Sequence, residues 1–344
     1  MTFLSDSPTP AGIDLPSLSA WFATALPGSG ELIGAELITG GKSNLTYEIR
    51  DATSSWILRR PPLGHVLATA HDMAREYQVM SALRETDVPV PAAYALCRDD
   101  TVLGVPFYVM EKVAGRPFRH RHELEQLGAR RTRTISTALV DSLAALHRVD
   151  PVAVGLADFG RPDGFLGRQL RRWRKQLDAS RTRELPAADR LYDLLASDVP
   201  SDPTPGIVHG DYRLDNLLID QSDRTAAIID WEMATLGAPL TDLALLVVYQ
   251  RLARIPEGAA IADASLAAGF LSETEIIQRY ADNSDTDFAG LGYCLGLAAF
   301  KLATIVEGIH YRHTHGHTVG VGFEHIGRAT EPLLEIGLGL TREH

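Results

Sequence analysis

Lysine is nearly missing from this chain: Lys42, Lys112, Lys175 and Lys301 are the only four among 344 residues, and the other cations are arginine. Alongside abundant alanine, that skew reads as codon bias rather than chemistry. Cysteine is as scarce. Cys97 and Cys294 cannot build a disulfide framework and lack metal-ligand spacing, so a reducing, cytoplasmic setting is expected. Basic runs do not offset the 44 Asp and Glu, which leave a formal charge of −11. That balance lacks the electrostatic footprint of a nucleic-acid binder. Residues 1–8 hold no basic segment leading into an apolar one, so no signal peptide is expected. The most apolar stretches, 243–249 and 291–306, are too short for a membrane span, and Lys301 interrupts the second. With 45% hydrophobic and 22% charged residues, the composition is that of a globular chain and not of a disordered or fibrous one.

Periodicity divides the chain in two. Asp14 can cap a helix over 15–26, and strand-like runs follow at 32–39, 45–50 and 56–59. A helix at 71–85 ends before Val88-Pro-Val-Pro91, and two more strands occupy 93–97 and 106–113. Beyond Gly115 the period becomes helical, over 123–148, 164–180, 186–196, 240–252, 272–281, 288–311 and 323–338. A β-hairpin at 216–220 and 226–230 interrupts those helices. The expected fold class is α+β: a small antiparallel-sheet lobe containing one helix, and a larger, mainly helical lobe. We place the small N-terminal lobe at 1–110, a short connector at 111–117 and the larger C-terminal helical lobe at 118–344. The junction of two lobes is a natural small-molecule site.

The strongest local signal is His209-Gly-Asp-Tyr-Arg-Leu-Asp-Asn216, followed by Ile228-Ile-Asp-Trp-Glu232. Four residues separate Asp211 from Asn216, the spacing of the kinase catalytic loop H-R-D-x-x-x-x-N. Phosphoryl transfer asks little covalent work of a protein; it needs an aimed hydroxyl and a metal to neutralise phosphate charge. Asp211 can accept the hydroxyl proton. Asn216 offers a neutral oxygen and Asp230 a charged one, which suits Mg²⁺. Glu76 shares one helical face with Met73, Met80 and Leu83, and a carboxylate on an apolar stripe needs a cationic partner. Gly40-Gly-Lys-Ser-Asn44 lies between two strands, where paired glycines allow backbone N–H groups to cradle anionic oxygens.

Taken in order, Gly40-Gly-Lys-Ser-Asn44, Arg75-Glu-Tyr77, His209–Asn216 and Ile228-Ile-Asp-Trp-Glu232 resemble the aminoglycoside phosphotransferase/choline kinase-like family. The nearest likeness is to its acyl-CoA-dehydrogenase-linked branch. It covers residues 32–249, with a weaker echo at 300–309. The resemblance implies a bilobal protein-kinase-like fold that transfers the γ-phosphoryl group of ATP, with Mg²⁺, to a small-molecule hydroxyl. By the same resemblance Gly40, Gly41, Lys42, Ser43 and Asn44 cover the phosphates. Arg59 stands where kinases place a lysine held by Glu76, with Arg60 as the rival because adjacent strand residues face opposite ways. Glu111 and Val113 would offer backbone groups to the adenine edge, and Asp242 would brace the catalytic loop.

Two rival functions remain. The arginine in place of lysine is compatible with a nucleotide-binding module without catalysis. His310, His313, His315 and His317 could instead hold a metal for hydrolysis, although Thr314 and Gly316 read as a polar loop. Arg168, Arg171, Arg172, Arg174 and Lys175 could meet an anionic acceptor, such as a hydroxyacyl-CoA-type molecule, whereas a polycationic aminoglycoside would want carboxylates there.

Overall fold

Residues 9–38, 44–63, 72–261, 263–316 and 323–343 are described by the structure, a computed structural model. Asp14 caps the first helix, α1 (Leu15–Ala25), by accepting a hydrogen bond from the Ser17 N–H. Five strands follow: β1 (Gly34–Leu37), β2 (Leu45–Arg50), β3 (Ser55–Arg60), β4 (Ala93–Cys97) and β5 (Phe107–Glu111). They form one antiparallel sheet in the order β1-β2-β3-β5-β4. Strand alternation sorts its two faces. Tyr47 and Ile49 of β2 lie opposite Leu58 and Trp56 of β3. These side chains pack with Leu18 and Phe22 of α1 into one apolar cluster. The helix α2 (Met73–Leu83), capped by Asp72, buries Met73, Glu76, Val79, Met80 and Leu83. It packs against β4 and β5. This first unit comprises Met1–Ala114 together with Ile229–Glu232.

The second unit, Gly115–Ile228 and Met233–His344, is mainly helical. The helix expected over 123–148 is instead two, α3 (Arg121–Glu125) and α4 (Ala129–Arg148). Gly128 separates them at φ +84°, a backbone conformation that costs glycine little. Next come α5 (Phe165–Ser180) and α6 (Pro186–Ser197), then two short strand pairs. β6 (Gly206–Val208) pairs with β9 (Thr235–Gly237), and β7 (Leu217–Ile219) pairs with β8 (Thr225–Ile228). The chain finishes with α7 (Leu240–Ala253), α8 (Glu273–Asp282), α9 (Leu291–Thr314) and α10 (Thr330–Glu343).

The helix α9 corrects the reading of its apolar stretch, 291–306, as too short for a membrane span. At 24 residues it is long and apolar enough to cross a membrane, yet 83% of its most apolar window is buried inside the protein. Neighbouring helices α5, α6, α7 and α10 pack against it, so its apolar character serves as the core of this unit.

Candidate active site

In the first unit the pleat of β3 decides between the two adjacent arginines. Arg60 shares parity with Leu58, on the α1 side, and donates to the carbonyl oxygens of Gly12 and Leu103. Arg59 faces the other way, where Nη1 lies 3.4 Å from Glu76 Oε2. Nη2 donates to Asp230 Oδ1 and lies 3.9 Å from Glu232 Oε2. One buried guanidinium therefore meets three carboxylates. Tyr108, directly opposite Arg59 on β5, donates from its hydroxyl to Glu76 Oε2 at 3.0 Å. Asn44 Nδ2 donates to Glu76 Oε1 at 3.0 Å and to Glu232 Oε2 at 3.2 Å. Asp230 sits at φ +69°, a left-handed conformation that is rare outside glycine and that clusters at functional sites.

Burial dominates the electrostatics of this cluster. It pushes the Glu76 carboxyl up to about 7, opposed by Arg59 and assisted by Asp230. Burial also pulls Arg59 down, but the surrounding Tyr108, Glu76 and Asp230 outweigh it and hold the guanidinium above its ordinary value. A raised carboxyl binds its proton more tightly in the folded chain than in the unfolded one. Between the ordinary value of 4.5 and about 7 the folded state therefore holds a proton that the unfolded state has released. Stability contributed by Glu76 is thus present below that window and lost as pH rises through it. Relative to Glu76→Gln, the parent protein should lose stability between pH 5 and pH 8, by roughly 1–3 kcal/mol. Urea midpoints of the two proteins across that range check this, and parallel curves would count against it.

In the second unit, β6 delivers the chain into the loop His209–Asn216. Asp242, in the first turn of α7 and 1% exposed, accepts from the backbone N–H of His209 at 2.6 Å and of Gly210 at 2.9 Å. Burial alone would raise the Asp242 carboxyl; its bond with His147 and the nearby imidazoles and N–H groups hold it below the ordinary value. His147 Nε2 lies 3.4 Å from Asp242, and His147 Nδ1 lies 2.6 Å from the Tyr280 hydroxyl. Downstream, the Asn216 amide donates to the Asp211 carbonyl oxygen at 2.9 Å and to its Oδ2 at 3.2 Å. That orientation leaves the Asn216 amide oxygen pointing away from Asp211. Tyr249 of α7 donates from its hydroxyl to Asp211 Oδ1 at 3.1 Å and accepts from Arg213 Nη1 at 3.2 Å.

Placement of the remaining candidates is uneven. Gly40, Gly41, Lys42, Ser43 and His317 lie outside the described residues. Glu111 ends β5, where its N–H donates to Ala92 O and its side chain accepts from Ala92 N–H. Val113 lies two residues beyond. The helix α9 holds His310 as expected but runs on through His313 to Thr314, past the end expected at 311, and His315 stacks on Tyr311 with ring centroids 4.1 Å apart. Among the described residues no group of three or more His, Cys, Asp or Glu could hold a metal ion. The basic run on α5 is partly spent internally. Arg174 pairs with Asp178 and Asp189, and Arg168 donates to the carbonyls of Asp163 and Arg161.

Sequence reasoning overlooked Tyr108, Glu232 and Tyr249. The first falls opposite Arg59 only through the register of β3 against β5, which no local pattern gives. Glu232 stood in a quoted motif without a role. Tyr249 carries no local signal, since it joins Asp211 across 38 residues of sequence.

The profile of the phosphotransferase enzyme family (APH) matches residues 34–282. The chain belongs to that family. A solved structure from Ralstonia eutropha JMP134, provisionally named an aminoglycoside phosphotransferase, is 33% identical. The likeness covers 96% of this chain and 98% of that one, with a TM-score of 0.83. Acyl-CoA dehydrogenase family member 11 of Rattus norvegicus is 33% identical over 341 residues, which cover 96% of this chain but 43% of that protein. The chain thus spans less than half the length of the curated relatives it matches. A thermostable mutant of aminoglycoside phosphotransferase APH(4)-Ia, solved with AMP-PNP and hygromycin B, is 14% identical with a TM-score of 0.58, covering 95% and 98% of the two chains. That last likeness concerns the fold, which is protein-kinase-like. Within the second unit of this family member, a pocket is walled by Phe118, Leu139, Leu246 and Phe270. Arg213 and Tyr249, which hold Asp211, line it too. The one carboxylate among its described lining residues, Asp215, is already paired with Arg213.

Proposed function

We propose that this chain is an ATP- and Mg²⁺-dependent phosphotransferase that moves a γ-phosphoryl group to a hydroxyl of a small, non-aminoglycoside acceptor, of which a hydroxyacyl-CoA-type molecule is one candidate. The observation that carries the reading is the loop His209–Asn216, in which both carboxylate oxygens of Asp211 are aimed, one by Tyr249 and one by Asn216. Asp211 is then the base that takes the hydroxyl proton. Arg59, oriented by Glu76, binds the nucleotide phosphates, and its buried Nε–H has no partner among the described residues, so a donor is left over for an anion. The segment Gly40–Ser43, with Asn44, covers the phosphates, while Glu111 and Val113 meet the adenine. For the metal, the donor set fits: the amide oxygen of Asn216 and the carboxylate of Asp230 are the hard oxygen ligands Mg²⁺ prefers. When bound, the ion neutralises phosphate charge as it develops.

The acceptor reading rests on charge. A polycation needs free carboxylates to replace its lost water. The acidic side chains nearest in sequence to the pocket-lining Phe270 are committed: Glu273 to Arg251 and Arg254, and Glu275 to Arg133 and the Ser272 cap. Kanamycin should therefore be a poor acceptor, with kcat/KM below about 10⁴ M⁻¹s⁻¹. Transfer from γ-labelled ATP, with and without Mg²⁺, to kanamycin, choline and a hydroxyacyl-CoA ester tests both claims. An ordinary enzymatic rate on kanamycin overturns the acceptor reading, and an absence of any Mg²⁺-dependent ATP turnover overturns the phosphotransferase reading in favour of a binding module.

A further inference from the structure

Lys301 is the one formally charged side chain between Leu291 and Val306, on the apolar core helix α9, in a chain with four lysines. Removing an ammonium from water on such a helix is costly unless partners compensate. The side chain keeps some surface, but its charged end is enclosed by protein, and burial lowers its pKa while Asp211 and Asp242 oppose that shift. Its compensation is specific. Nζ donates to the carbonyl oxygen of Gly210 and lies 5.3 Å from the centroid of the Trp173 ring. Gly210 is itself gripped on its other side, where its N–H donates to Asp242 Oδ1 at 2.9 Å. It sits at φ +82°, and a Cβ there would come within 2.7 Å of the Met233 carbonyl oxygen.

The carbonyl of Gly210 belongs to the peptide whose nitrogen is that of Asp211. Rotation of that peptide plane would swing the Asp211 Cα–Cβ bond, and with it the carboxylate that Tyr249 and Asn216 hold. We infer that Lys301 is a positioning residue for Asp211: its ammonium locks the Gly210–Asp211 peptide so that the carboxylate meets the acceptor hydroxyl in line. This rests on the reading of Asp211 as the base. Misplacement by about 1 Å can cost on the order of 10²-fold in rate, so a group that sets this plane need not touch substrate to matter.

The test is steady-state Mg²⁺-dependent turnover of γ-labelled ATP by the full chain, with water as the acceptor. Lys301→Met keeps the apolar stem and removes the donor. It should lower kcat by about 10- to 100-fold while the KM for ATP moves less than about twofold. Lys301→Arg, which restores charge and donor, should recover part of the loss. In an Asp211→Ala background Lys301→Met should cost nothing further, because a residue acting through Asp211 has nothing left to position. Parent-like kcat in Lys301→Met, or a loss fully additive with Asp211→Ala, overturns the inference. Should Lys301→Met fail to fold, Lys301→Leu, which also lacks a donor, carries the same expectation, and failure of both to fold makes Lys301 a purely structural brace, which also overturns it. A folded Asp211→Ala variant with parent-like kcat would instead overturn the underlying role of Asp211, whatever Lys301 does.

Discussion

Asp211→Ala should reduce phosphoryl transfer by at least about 10³-fold while leaving Mg²⁺-dependent nucleotide binding near the parent value. Asp230→Ala should abolish that binding. The two carboxylates differ in their surroundings. Asp211 is held by neutral donors, Tyr249 and Asn216, which aim it without supplying a cation for it to neutralise. Asp230 has a side chain 32% exposed on a left-handed turn and already faces a cation, Arg59. A carboxylate so presented is a ligand for positive charge, and a fitting one for a metal beside phosphates. Loss of the base removes a step that follows binding; loss of the ligand removes binding itself. Calorimetric titration of both variants with ATP and Mg²⁺ separates the cases, and equal loss of affinity in each would refute the division of roles.

A second large effect is expected at Arg59, and a different one at its neighbour. Arg59→Ala removes a guanidinium facing Glu76, Asp230 and Glu232, and stranding a buried carboxylate typically costs about 3–5 kcal/mol. Glu76 can soften this by taking a proton, since its carboxyl already lies at about 7, so about 2–3 kcal/mol of stability is the expected loss. Nucleotide affinity should fall by roughly 10- to 100-fold, the equivalent of charge-assisted hydrogen bonds worth about 1.5–3 kcal/mol. Arg60→Ala should also destabilise, by about 1–3 kcal/mol, because the carbonyls of Gly12 and Leu103 lose a buried donor. Its nucleotide affinity should stay within about twofold of the parent. Urea denaturation paired with nucleotide titration gives both quantities. A large affinity loss in Arg60→Ala would refute the assignment of Arg59, rather than Arg60, to the nucleotide.

Much of the fold was readable from short-range chemistry. Asp14 caps its helix because a carboxylate one residue ahead of an apolar period satisfies free N–H groups, whereas the sequence reading starts the second helix at 71 and misses the Asp72 cap. The loop His209–Asn216 was equally legible, since Asp211 and Asn216 lie five positions apart and their hydrogen bond is local. Glu76 was legible too: a carboxylate on an apolar helical stripe announces that a cation is near. Where reading by sequence stopped, the missing information was long-range. Whether Arg59 or Arg60 faced Glu76 depended on the register of β3 against β2 and β5, and a one-residue slip exchanges the two. β6 and β9 are three residues each and show no period of their own; they exist because they pair with one another across 29 positions. The break at Gly128 required a positive φ that composition alone does not demand. Lys301 reads locally as an interruption in an apolar helix. Its bond to Gly210, 91 residues away, comes from packing, because only the folded core brings α9 beneath the loop and encloses an ammonium beside a single carbonyl.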